Sequence, residues 1–513
     1  MSNHENNKKI AKNTLALYFR QIITMFVSLF TSRVILQTLG VTDFGINSVV
    51  SGMVGMLSFL TNSLSGTTQR FLNVEMGKNN TTELKKIFSN SLSLHIIFIL
   101  LLVIIAETLG LWFLKNKLVI PPERMDAAFW VYQLSIISFS VAVFFAPFDG
   151  AIRAHERFGF YAKMSIFDVV MKLVVVYLLV ISPYDKLVAL SFMYMCVSII
   201  GRVIVYIFCR KNFEECRIKL SWVKTNIREL FGFNFYALIN GLSFTIRFYG
   251  INIVLNLYYG PIMNAAQGIA NTVYAAISSF SDNAAFATQP QIIMSYAKND
   301  RERLWTLITK SSQLYFYLLL ILTLPFILEI DTALYLWLGN YPEYTSIFAQ
   351  LFLLEILQRV LAHPITFANL AVGKLRAMTI KSIICRLLIL LFAVFVGINK
   401  LSPTYIYVFA LILQSIDLFI TVIIVLKVQL GFSVRKYFTD VILPISKVSL
   451  LAISAPVVLH YLYSKSTMSS LGVVLFTLIW SAAVVFYAGL NQQEKIMIAN
   501  KLPVFLRKAL IFR

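Results

Sequence analysis

Residues 86–114 read KIFSNSLSLHIIFILLLVIIAETLGLWFL, and after Lys86 this stretch carries one charge, Glu107. A helical membrane span needs about 20 mostly apolar residues, whereas a membrane strand is about 10 residues of strict alternation. This run is too long and too continuously apolar for a strand. Working outward, the same kind of run recurs from end to end. Fourteen spans are predicted, at 14–39, 42–70, 86–114, 126–149, 159–181, 187–209, 229–258, 262–290, 308–330, 346–372, 376–398, 403–427, 437–463 and 469–489. Several exceed the minimum, which implies tilt or helix beyond the bilayer. Composition agrees: of 513 residues, 58% are hydrophobic and 13% charged, with a mean hydropathy of +0.76. Soluble domains carry about 25% charged residues. A water-soluble enzyme is excluded, and 42 phenylalanines exclude a disordered chain.

The formal charge of +21 has a topological reading. With the N-terminus inside, alternate segments collect thirty Lys and Arg on the inner side and six on the outer side. Positive residues mark cytoplasmic loops, so both termini are expected inside and nucleic acid is not needed to explain the basic excess. The N-terminus is polar as far as Lys12, and the first apolar run contains Arg20 and Arg33, which does not suit a cleaved signal peptide. Cys196, Cys209, Cys216 and Cys385 show no metal spacing. The nine basic residues counted to neither side fall within the spans: Arg20, Arg33, Arg70, Lys172, Arg202, Arg247, Arg359, Arg386 and Lys447. Each costs about 2.5–3.5 kcal/mol at a helix centre. Arg33, Arg70 and Arg202 sit near span ends, where a long side chain reaches the interface. Lys172, Arg247, Arg359 and Arg386 sit near mid-span and must face protein or water.

An offset of 220 residues aligns the chain with itself. Gly40 meets Gly260, Ser58 meets Ser278, Thr68-Gln69 meets Thr288-Gln289, and Lys78-Asn79 meets Lys298-Asn299. Six spans separate the copies, so both point the same way across the membrane. Parallel six-helix halves imply a pseudo-twofold axis along the membrane normal with a site between them. The predicted organisation is a six-helix lobe (1–212), a basic cytoplasmic linker (213–228), a second six-helix lobe (229–430), two additional helices (431–490) and a basic amphipathic tail on the inner leaflet (491–513). At 100° per residue, Asn47, Ser51, Ser58 and Asn62 share one stripe of span 2. Their equivalents on span 8, Gln267, Asn271, Ser278 and Asp282, do the same. Arg20, Thr24 and Thr31 share a face of span 1, and Arg247 lies on the matching face of span 7. Polar stripes can simply join membrane helices; matched stripes in both halves favour a shared cavity.

Asp168 and Lys172, and likewise Glu355 and Arg359, are spaced i,i+4 on spans 5 and 10. Each reads either as a structural pair or as a cavity wall or proton relay. Asp417 near the middle of span 12 is a functional candidate or the partner of Arg386. These six are the coupling or gating candidates. There is no P-loop, no H-E-x-x-H and no nucleophile elbow, and no outer loop is long enough for extramembrane chemistry, so the chain is not expected to be an enzyme.

Two stretches resemble a known family. Residues 33–45, RVILQTLGVTDFG, and residues 67–72, TTQRFL, followed by Gly77-Lys78, resemble the Wzx-type lipid-linked oligosaccharide flippases of the multidrug/oligosaccharidyl-lipid/polysaccharide exporter superfamily. The resemblance implies twelve core helices in two lobes plus two more. It also implies transfer of undecaprenyl-pyrophosphate-linked O-antigen, capsule or exopolysaccharide units across the bacterial inner membrane by alternating access. The implied partners are that lipid-linked oligosaccharide, membrane lipids, and the polymerase and glycosyltransferases of the pathway. No cofactor is implied; H+ or Na+ is the candidate coupling ion, and no motif designates a coupling residue. Arginine binds phosphate bidentately, which makes Arg20 and Arg247 the head-group candidates. Thr24, Asn47, Ser51, Asn62, Gln267 and Asn271 are the sugar-hydroxyl candidates. An ion-coupled multidrug exporter of the same superfamily is the alternative, and it would be expected to place carboxylates, not Arg20, on the cavity face.

Overall fold

The computed structural model describes residues 3–77, 80–155, 157–217, 235–463 and 466–499, and among these there are helices and no strands. The main elements are α1 (Asn3–Gly55), α2 (Ser58–Gly77), α3 (Thr81–Ile105), α4 (Met125–Ala154), α5 (Phe158–Ile181), α6 (Lys186–Asn212), α7 (Phe235–Tyr259) and α8 (Pro261–Ala297). They continue as α9 (Arg301–Leu328), α10 (Ile330–Leu338), α11 (Thr345–Val372), α12 (Arg376–Ile398), α13 (Thr404–Thr421), α14 (Leu443–Tyr463), α15 (Thr467–Val484) and α16 (Gln492–Ala499). Eleven helical stretches among the described residues are long and apolar enough to cross a membrane. The chain is an all-α, multi-pass membrane protein.

The helix ends follow local chemistry. Asn80 Oδ1 accepts from the Glu83 amide at the start of α3, Asp185 Oδ1 accepts from the Leu187 and Val188 amides at the start of α6, and Asp300 accepts from the Arg303 amide at the start of α9. These side chains satisfy amide donors that have no intrahelical partner. Gly40 breaks α1 with φ 76°, and Gly260 separates α7 from α8 with φ 80°. Both are left-handed conformations that favour glycine, and they occur at positions matched by the 220-residue offset. The copies differ further on: residues 56 and 57 interrupt the first between α1 and α2, whereas α8 runs through the corresponding positions.

The chain divides into two compact units. The first comprises residues 1–272, 340–348 and 376–413. One apolar cluster joins Ile46, Val49 and Val50 of α1 to Ala128 and Val131 of α4 and to Leu187. A second joins Leu72, Phe88, Phe148 and Cys209, with the Phe88 and Phe148 rings edge-on at 5.0 Å. The start of α8 crosses α1 through small residues. A Cβ on Gly45 would lie 1.9 Å from the Pro261 carbonyl oxygen, and one on Gly268 would lie 3.3 Å from Ser48 Oγ. Residues 48 and 268 are themselves offset partners. Behind this crossing, Asn252 Nδ2 donates to Gln267 Oε1, and Asn264 Nδ2 donates to Asn252 Oδ1. Asn256 Nδ2 in turn donates to Asn264 Oδ1. Buried amides of this kind join helices where the hydrophobic effect cannot.

The second unit comprises residues 273–339, 349–375 and 414–513. Here α9 is strapped to residues 438–442 and to α14, which follows them. Trp305 Nε1 donates to Asp440 Oδ2 at 3.2 Å, and Gln313 Nε2 donates to the Asp440 carbonyl at 2.6 Å. At the far end His460 Nδ1 lies 2.7 Å from Glu329 Oε1. Large apolar side chains such as Leu109, Ile181, Leu450 and Ile479 stand exposed. A soluble monomer does not tolerate so much exposed apolar surface, and hydrocarbon accepts it.

Candidate functional site

A cavity of about 740 Å³ lies within the first unit, among α1, α4, α5 and α6. Helical spacing brings its polar lining together. Asp149 and Arg153 are one turn apart on α4; Met164, Asp168 and Lys172 form a stripe on α5; Tyr194, Ser198 and Arg202 form another on α6, and Thr24 contributes from α1. At Gly201 α6 faces the Phe167 ring of α5, where an added Cβ would make an ordinary van der Waals contact at 3.7 Å. Among the described residues the lining holds three cations and two carboxylates, an excess of one positive charge when all are ionised.

Every cation has an internal partner. Arg202 Nη1 donates to Asp149 Oδ2 at 2.5 Å. Lys172 Nζ lies 2.8 Å from Asp168 Oδ2, which realises the i,i+4 pair expected from spacing. Arg153 Nη2 donates to Ser65 Oγ on α2, and its Nε donates to the Asp149 carbonyl at 3.3 Å. The Lys172 and Asp168 side chains are 43% and 53% exposed, so this pair stands in the cavity. The lining is one-sided in depth. Arg153 is one residue from the end of α4, Arg202 is about 15 Å from the end of α6, and Lys172 is about 20 Å from the start of α5, at 1.5 Å per residue. The cavity thus runs from the end at which α4 finishes and α5 begins to mid-helix.

The opposite end of this unit is clamped. Arg124 donates from Nη2 to Asp43 Oδ2 at 2.6 Å and from Nη1 to Asp185 Oδ2 at 2.6 Å, tying α1 to the N-cap of α6. The guanidinium holds the Asp185 carboxyl below the usual carboxylate range, and hydrogen bonds to the two carboxylates raise Arg124. Buried Asn256 donates to the Val119 carbonyl and accepts from the Val119 amide, and Tyr259 Oη donates to the Leu401 carbonyl.

The other sequence-derived candidates that are described lie elsewhere. Arg247 is half-buried on α7 and does not line this cavity. The side chains of Arg20 and Asn62 lie outside the described residues. Ser51 Oγ donates to Asn47 Oδ1 at 3.4 Å, Asn271 is half-buried, and buried Gln267 belongs to the amide network. Arg386 Nη1 donates to Ser243 Oγ at 2.7 Å, linking α12 to α7. In the second unit Arg359 Nη2 donates to Asp282 Oδ1 at 3.2 Å and its guanidinium lies over the Tyr274 ring. Spacing allows Arg359 a partner on its own helix, Glu355, but its carboxylate partner is Asp282 on α8. Glu355 is buried on α11 and Asp417 half-buried on α13.

Sequence reading missed Asp149, Arg153 and Arg202 as site residues. Position alone assigns Arg202 to the interface and Arg153 to a loop; the structure turns both into the cavity. The usable signal was the Tyr194-Ser198-Arg202 stripe, polar every fourth residue in an otherwise apolar helix.

Comparison with known proteins agrees with this architecture. Residues 10–295, more than half of the chain, match the family described as "Polysaccharide biosynthesis protein". No curated protein sequence matches the chain. Among solved structures, the chain is similar to the lipid II flippase MurJ in its inward closed conformation, at 11% identity and a TM-score of 0.72, over 92% of this chain and 99% of that one. It is also similar to an inward-facing multidrug resistance MATE family transporter of the MOP superfamily, at 12% identity and a TM-score of 0.56, over 79% of this chain and 92% of that one. A third, a MOP superfamily transporter from Pyrococcus furiosus, matches at 14% identity and a TM-score of 0.55, over 80% of this chain and 93% of that one. At these identities the likeness concerns the fold.

Proposed function

The chain belongs to the polysaccharide biosynthesis protein family, and on that premise we propose that it is a flippase. It moves an undecaprenyl-pyrophosphate-linked oligosaccharide from the inner to the outer leaflet of a bacterial inner membrane. The observation that carries this reading is the cavity among α1, α4, α5 and α6: cationic on balance, lined with hydroxyls, at membrane depth, and open along the half of the bundle away from the Arg124 clamp. A pyrophosphate is an anion that arginine forks recognise. Tyr194, Ser198, Ser165 and Thr24 offer hydroxyl partners to sugars. A cavity reaching one end while the other is clamped suits alternating access. The basic loops support placing the cavity end, with both termini, in the cytoplasm. Arg247 on α7 and Arg20, one turn before Thr24 on α1, remain candidates for later contacts along the path. A proton or sodium ion would drive the cycle, with the mid-membrane carboxylates Asp168, Asp282 and Glu355 as acceptors.

Reconstitution tests the reading. Full-length protein in liposomes should speed transfer of a polyprenyl-pyrophosphate oligosaccharide, tagged on its sugar, into a leaflet where an impermeant quencher reaches it. Transfer no faster than in protein-free liposomes, together with movement of an organic cation, would overturn the flippase reading in favour of a multidrug exporter.

A further inference from the structure

We propose that Arg153 and Arg202 form a phosphate-binding site at the cytoplasmic end of the cavity, and that Asp149 occupies it as a displaceable stand-in for the phosphate. The inference rests on the flippase reading above and specifies where and how its anionic group is first taken up. Three observations carry it. Both guanidinium groups line the cavity near the end of α4, ahead of Lys172, so an anion arriving from that end meets them first. Asp149 supplies to Arg202 what a phosphate would supply, a charged oxygen, here at 2.5 Å. Among the described residues Arg153 is held by neutral oxygens, Ser65 Oγ and the Asp149 carbonyl, and pairs with no described carboxylate.

The geometry supports exchange rather than permanent pairing. The Arg202 and Asp149 side chains are 28% and 22% exposed, so solvent or ligand oxygens reach both. A pyrophosphate presents two adjacent anionic centres, and Arg202 of α6 and Arg153 of α4 both line the cavity. When phosphate oxygens take Arg202, the Asp149 carboxylate loses its partner and turns to water. The exchange conserves the number of charge-assisted hydrogen bonds at Arg202, so binding is reversible, which a carrier needs if it is to release its load. Further in, the Lys172–Asp168 pair repeats the arrangement, a cation held by a displaceable carboxylate, and becomes the next station at mid-depth.

Calorimetric titration of the purified, detergent-solubilised full chain with inorganic pyrophosphate tests this. Arg202→Ala and Arg153→Ala should each raise Kd about ten- to hundredfold, as expected for loss of hydrogen bonds to a charged group, with Arg202→Lys intermediate. Arg210→Ala, an exposed basic residue at the same end, should leave Kd unchanged and so exclude general attraction to the basic surface. Asp149→Asn removes the competitor and should lower Kd about tenfold. In the Arg202→Ala background the same substitution should change Kd less than threefold. Equal tightening in both backgrounds would mean a general field effect and would overturn displacement, as would weaker binding in Asp149→Asn. If Asp149→Asn does not accumulate, Asp149→Ser removes the same carboxylate with another shape. Wild-type protein that binds no pyrophosphate yet flips lipid-linked oligosaccharide overturns this site alone. Protein that binds it as described, but flips nothing, supports the site and counts against the flippase reading.

Discussion

Two helices carry an acid and a base four residues apart at mid-membrane, Asp168/Lys172 on α5 and Glu355/Arg359 on α11, and they behave differently. Lys172 turns back onto its own helix and meets Asp168 in open cavity. Arg359 reaches across to Asp282 on α8 and lies over Tyr274, while its Nε and the Nδ1 of His363 are buried without a hydrogen-bond partner among the described residues. The spacing makes a local pair available in both cases; what the neighbouring helix offers decides whether it forms. Lys172 lines a cavity, where water competes with any distant partner. Arg359 has a carboxylate and an aromatic face opposite it, and a guanidinium gains from both.

The comparison can be broken by mutation. The largest effect is expected at the interhelical pair. Arg359→Ala leaves Asp282 facing a membrane interior, and should cost about 2–3 kcal/mol, less than the 3–5 of a fully buried pair because Asp282 is half exposed. Asp282→Asn with Arg359→Gln together should recover much of the loss in thermal unfolding in detergent; no recovery would show that Arg359 is held by something other than Asp282. Next come the glycine turns at positions matched by the 220-residue offset. Gly40→Ala and Gly260→Ala should each cost about 1 kcal/mol from backbone strain alone, because neither position has an atom within 4 Å of the added Cβ. Markedly unequal melting temperatures would mean that the turns are not equivalent.

Lys172→Met and Asp168→Asn should be smaller still, about 0.5 kcal/mol, as for a half-exposed pair on one helix. Their signature is functional: flipping falls while protein level holds. A stability loss as large as that of Arg359→Ala would erase the contrast between α5 and α11. The smallest effect concerns pH at the clamped end. The folded state holds Asp185 below its ordinary value, so the clamp contributes its stability above that ordinary value and loses it as pH falls through the lowered one. Cysteine accessibility near Val119 should therefore rise only in strong acid, below about pH 4, and Arg124→Gln should abolish that dependence. The turn tied by Tyr259 to the Leu401 carbonyl should not respond.

Much of the architecture was legible in the sequence because it depends on local chemistry. Hydrocarbon requires long apolar helices with their backbone groups satisfied internally, so the runs read along the chain are largely helical where they are described, with the run 42–70 broken at residues 56 and 57. Gly40 and Gly260 announce their turns because the left-handed conformation is cheap only for glycine. The Asp168–Lys172 pair was legible for the same reason: both partners sit on one turn of one helix. Partnerships between helices were not. Arg202 and Asp149 are 53 residues apart, and the helical period of α6 says which stripe Arg202 occupies but not whether that stripe faces lipid, interface or α4. The tertiary structure decided that Arg202 turns inward, that Arg153 reaches Ser65 across to α2, and that Arg359 chooses Asp282. The physical reason is one of range: burial pattern and backbone conformation are written residue by residue, while a charge inside a membrane takes the partner that packing brings within reach.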